Sequence, residues 1–172
     1  VFWVAMGSSF FWGLGALAQM NIDKFATEML HVRQDYAMLL LVALSLGLAA
    51  GAILAGYWSR GKIEMGLVPI GALLIVLFAL FLSLTPSVTL PPDQSVVSPL
   101  TFPFFFAALG LFALGTSAGM YDIPLLATLQ TKSPVENRGR ILAAYNFYSF
   151  AAMALFSLFQ GILAIPRTNW NY

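Results

Sequence analysis

Cysteine is absent from the 172 residues, which removes disulfides, thiolate metal sites and cysteine nucleophiles together. Histidine occurs once, at His31, so a histidine-rich metal centre cannot be built within the chain. Charge is scarce too: 9% of the residues are charged, against about a quarter in a soluble globular domain. The net charge of +1 gives no bulk electrostatic reason to bind nucleic acid. What is abundant is apolar, with 60% hydrophobic residues and a mean hydropathy of +0.85. Those absences and that abundance point to an integral membrane protein.

Five apolar segments follow in order: about 1–20, 36–58, 65–84, 99–130 and 141–165. Several approach or exceed the roughly 20 residues that cross a hydrocarbon layer about 30 Å thick. Backbone groups in lipid must be satisfied within their own segment, and period-2 alternation is missing, so helices are expected rather than a barrel. The expected fold is all-α and membrane-integral, one domain over 1–172. The first run begins at Val1 without a basic leader, unlike the usual signal peptide, and is read as part of an excised piece of a longer protein.

The polar connections are short. Gly56-Tyr57-Trp58-Ser59-Arg60-Gly61-Lys62-Ile63-Glu64-Met65-Gly66 is a turn between two apolar runs. Residues 21–35 mix Asp23, Lys24, Glu28, His31, Arg33 and Asp35 with Phe25, Met29, Leu30 and Val32, a pattern that suits a partly interfacial helix. Residues 85–99 carry Pro86, Pro91, Pro92 and Pro99 and read as an extended loop. The last turn, 131–140, holds Lys132, Glu136, Arg138 and Arg140. Arg60, Lys62, Lys132, Arg138 and Arg140 collect on one side and Lys24, Arg33 and Arg167 on the other, so the positive-inside rule puts the first group in the cytoplasm.

Small residues Ala43, Gly47, Gly51 and Ala55 recur every four residues, as do Gly115 and Gly119. Such faces let helix backbones approach, and packing is the reading preferred for them. Asp122 is the sharpest chemical signal. A carboxylate within an apolar helix is costly unless paired, hydrated or protonated, which makes it a functional candidate. The alternative is that the helix ends near Met120 and Asp122 caps it at the interface.

Asn146, Ser149, Met153, Ser157 and Gln160 are spaced by three, four, four and three residues, one stripe on a helix that lines a cavity or bonds a neighbour. Cavity lining is the reading preferred for Asn146, Ser149 and Gln160, with Trp12 and Gln19 from the first helix. No catalytic constellation, cofactor or metal site is expected. No G-x-S-x-G pentapeptide of a serine-hydrolase elbow and no Walker-type glycine loop is expected in the chain. His31 and Asp35 are one residue short of the histidine–aspartate spacing of glycerolipid acyltransferases.

Two glycine- and arginine-rich turns separated by two helices resemble the major facilitator superfamily. Gly56–Lys62 stands where that family has its signature, and Pro134-Val135-Glu136-Asn137-Arg138-Gly139-Arg140 looks like its P-x-x-x-R-G-R turn. The usual acidic residue falls at Gly56, with Glu64 as substitute partner for Arg60. By this resemblance the five helices are the seventh to eleventh of twelve, and Gly56, Arg60, Lys62, Glu64, Arg138 and Arg140 belong to the cytoplasmic gate. Three patches are similar to lysophospholipid transporters, some of them fused to acyltransferase domains: Phe11–Gln19, Gly61–Ala72 and Ile123–Gln130. The resemblance implies lysophospholipid transport across the bacterial inner membrane by alternating access. The missing amino-terminal half and last helix would be its partners. Alternatives are a proton-coupled exporter with Asp122 as protonation site, or a noncatalytic anchor for a fused acyltransferase.

Overall fold

The computed structural model describes residues 1–59, 63–86, 88 and 101–163. Among these the chain is all-α, with five α-helices: α1 (Phe2–Lys24), α2 (Gln34–Ser59), α3 (Leu67–Ser83), α4 (Phe102–Lys132) and α5 (Arg138–Leu163). A π-turn, Phe25–Met29, follows α1, and a 3₁₀ turn, Val135–Asn137, leads into α5. Three helical stretches are long and apolar enough to cross a membrane: Gln34–Ser59, Phe102–Lys132 and Val135–Leu163. They make this a multi-pass membrane protein. At 17 residues α3 is apolar but short, about 26 Å against a layer of about 30 Å. In α1, Ser8, Ser9 and Gln19 interrupt the apolar residues, and α1 is not among the three.

Four of the helices pass at least one end of their apolar runs, while α3 lies within its own. Where the sequence predicts a first helix over 1–20, α1 continues to Lys24, and where it predicts a start near 141, α5 begins at Arg138. Hydropathy marks where lipid begins, whereas a helix continues until its backbone bonds fail. Long basic side chains in a terminal turn reach water without ending it. The predicted loop over 85–99 and the carboxyl end of the fifth run lie almost wholly outside the described residues.

The helices fall into two compact units. In the first, Val1–Met20 packs with the described residues from Leu129 onward. Here α1 and α5 run parallel, since Ser8 meets Tyr145, Ser9 meets Ser149 and Gly13 lies under the ring of Phe156.

The second unit is Asn21–Thr128. Its end nearest the π-turn is a core of Ile22, Ala26, Leu30, Val32, Ala37, Leu40, Phe104, Ala107 and Leu111. Further along, α2 and α4 touch backbone to backbone. A methyl group on Gly47 would fall on the Phe112 carbonyl, and one on Gly51 on the Thr116 carbonyl. Reciprocally, one on Gly115 would strike the Leu44 carbonyl, and one on Gly119 would lie 2.5 Å from that of Leu48. The rising pairs make α2 and α4 parallel. On another side of α4, α3 runs antiparallel: Gly71 sits on Ser117 and Tyr121, while Phe81 stacks on Phe106 at 4.2 Å.

Candidate functional site

Asp122 lies inside an unbroken helix. Pro124 lacks the amide hydrogen that would bond Met120, yet α4 continues eight residues beyond it to Lys132. The structure thus replaces the helix-end reading of Asp122 with a position ten residues, about 15 Å, from the last residue of α4. Its residue is 6% exposed. Asp122 follows Gly119 by three residues and Gly115 by seven, the spacing of one helical face, and that face is the one α2 covers.

Around it the helix supplies its own polar satisfaction. The Ser117 hydroxyl donates to the Ala113 carbonyl at 2.8 Å and the Thr128 hydroxyl to the Pro124 carbonyl at 2.8 Å. Hydroxyls that bond back one turn lose no partner when water is excluded. The Thr128 hydroxyl also lies 3.0 Å from the Met65 sulfur, which fixes the turn before α3 against the last turns of α4.

Residues Gly115-Thr116-Ser117-Ala118-Gly119 do spell G-x-S-x-G, contrary to the expectation that no such pentapeptide occurs. The motif works as a nucleophile elbow only on a strand-to-helix turn that exposes the serine. Here it is mid-helix, both glycines are packed against α2, and Ser117 is 1% exposed. These five residues are a packing surface.

In the other unit, Ser149 shares a 3.1 Å hydrogen bond with Ser9, both buried. One turn earlier Tyr145 shares a 3.1 Å bond with Ser8. Tyr145 is absent from the expected site, although its place four residues before Ser149 signals the same face. Asn146 and Gln19 are exposed, Gln160 is half-buried, and Trp12 is half-buried with its ring edge-on to Phe11 at 5.9 Å. Asn146 and Gln160 are fourteen residues apart on α5, about 21 Å along the axis, too far to hold one small group together.

Of the residues expected at a cytoplasmic gate, Gly56, Glu64, Arg138 and Arg140 are exposed, and Arg60 and Lys62 lie outside the described residues. Among the described residues no cluster of three or more His, Cys, Asp or Glu could hold a metal ion.

Comparison of the chain with protein-family models, with curated proteins and with solved structures gives no match. The arrangement itself offers two chemical features: a carboxylate enclosed by parallel helices, and a hydroxyl-lined contact between two others.

Proposed function

We propose that the chain is part of a major-facilitator-type transporter that moves lysophospholipid across the bacterial inner membrane by alternating access. The observation that carries the reading is the contact of Met65 with Thr128. It sets Met65, just before α3, against Thr128 on α4. In this reading the two arginine-bearing turns on which the resemblance rests belong to one membrane face. All five helices cross the bilayer in this reading, with α3 tilted little because it is short. Substrate sits between this part of the protein and the half that completes it. The aromatic residues of α1 would meet the acyl chain, and the headgroup would pass Asn146 and Gln160 in turn, since the two are too far apart to hold it together. Ser149 serves the joint between α1 and α5.

The enclosure of Asp122 in an unbroken helix favours a second reading, proton-coupled export of a soluble solute. There the carboxyl binds and releases the coupled proton as the site changes sides.

Labelled lysophosphatidylethanolamine, followed between the leaflets of proteoliposomes containing the intact protein, tests both. Movement indifferent to a pH gradient is expected. Gradient-driven export of a soluble cation without lysolipid movement would replace the first reading with the second. Neither movement, with an attached acyltransferase fully active, would leave a membrane anchor.

A further inference from the structure

A cleft of about 420 Å³ opens at the start of α5, lined by Asn137, Arg140, Ile141 and Ala144. That volume lies within the roughly 300–1,000 Å³ of small-molecule sites. The four residues follow the spacing of one helical face. The polar pair comes first in the chain, with the apolar pair beginning where Arg140 ends it. From Ile141 to Leu163 no residue is charged, so Arg140 is the last charge before the apolar span. With α5 across a membrane, the cleft would straddle the level at which a bilayer passes from phosphate to hydrocarbon.

Arg138 and Arg140 are both exposed. Among the described residues the salt bridge is that of Arg33 with Asp35, so neither arginine is neutralised by a carboxylate.

We propose that this cleft binds the headgroup of an anionic bilayer phospholipid. The Arg140 guanidinium would donate in a fork to the two free phosphate oxygens, and the Asn137 amide would donate to one of the same pair. Ile141 and Ala144 would carry the first methylenes of an acyl chain. That apolar half of the lining is what selects a lipid over free phosphate, and basic pockets at a membrane face suit anionic headgroups. The proposal needs only that α5 crosses a membrane, and it stands whichever substrate the protein transports.

The test uses the intact protein with a single reactive cysteine, Ala143→Cys, carrying a bimane fluorophore beside the cleft. It is reconstituted in phosphatidylcholine with rising fractions of brominated phosphatidylglycerol or brominated phosphatidylcholine. Quenching by the phosphatidylglycerol is expected to saturate at a roughly fivefold lower fraction, the preference that one basic group gives. Arg140→Gln is expected to abolish that preference while leaving quenching by brominated phosphatidylcholine, and hence insertion, unchanged. Equal quenching by the two lipids overturns the proposal, as does a preference that survives Arg140→Gln. Reversal of the quenching by inorganic phosphate would make this a soluble-anion site and overturn the lipid assignment.

Discussion

Between Ser9 and Ser149 the hydrogen bond runs between buried hydroxyls on different helices, where water is not the competing partner. Such bonds still average only about 0.6 kcal/mol in membrane proteins, because the alternative states find partners as well. A double-mutant cycle of Ser9→Ala and Ser149→Ala, read by unfolding in mixed detergent, is expected to give a coupling near that size. The glycines divide more sharply. Gly51→Ala places a methyl on the Thr116 carbonyl, a backbone atom that can move only if α2 and α4 separate. Overpacking of that kind costs about 1–3 kcal/mol or more. Nothing lies within 4 Å of a methyl added at Gly15, and a helical glycine gains up to about 1 kcal/mol when it becomes alanine. Gly51→Ala should therefore lower the thermal midpoint of the purified protein while Gly15→Ala leaves it equal or raises it. Equal losses at both positions would mean that helix contact does not set the cost.

At the scale of elements, the link from α1 to α2 is a closure built on one left-handed residue. His31 has φ 51, the only positive value among the described non-glycine residues. It follows the bond of the Leu30 amide to the Phe25 carbonyl and lets the Val32 amide donate to the carbonyl of Ala26. Leu30 and Val32, on either side, are buried. This resembles a Schellman ending widened by the π-turn, where glycine is the favoured residue. His31→Gly is expected to keep or slightly raise stability, and His31→Val to lower it, since a β-branched residue resists that conformation. Circular dichroism melts of the two variants would decide. The opposite order would mean that the imidazole, half-buried here, has a role of its own. In α4 the continuation through Pro124 rests on its packing with α2 and α3, because a proline in a helix interior removes one backbone bond.

For the whole molecule the observable consequence is sidedness. Within the second unit α2 runs from the π-turn end to the end where Met65 meets Thr128. Residues near the two ends of α2 should therefore face opposite sides of the membrane. Glu28→Cys and Glu64→Cys, introduced singly into a chain that has no cysteine of its own, should react with an impermeant maleimide from opposite sides. Labelling of Glu28→Cys and Glu64→Cys from one side would mean that α2 lies along the membrane and does not cross it.

The sequence by itself determined the class. A 60% hydrophobic chain with 9% charge admits helices in lipid and little else, and period-four glycines announced a close helix contact before any partner was known. The approximate helix count was legible for the same reason, since solvation by lipid or water acts on each residue locally. Partners were not legible, because lipid-facing and helix-facing residues are alike apolar. Only the tertiary structure decided that Gly47 and Gly51 receive α4, that Ser149 meets Ser9, and that Gly115–Gly119 is a packing face and no nucleophile elbow. Asp122 shows the division most clearly. Its cost in an apolar helix is a local property that the sequence states, but whether α4 ends before it or encloses it depended on neighbours that hold the helix together through Pro124.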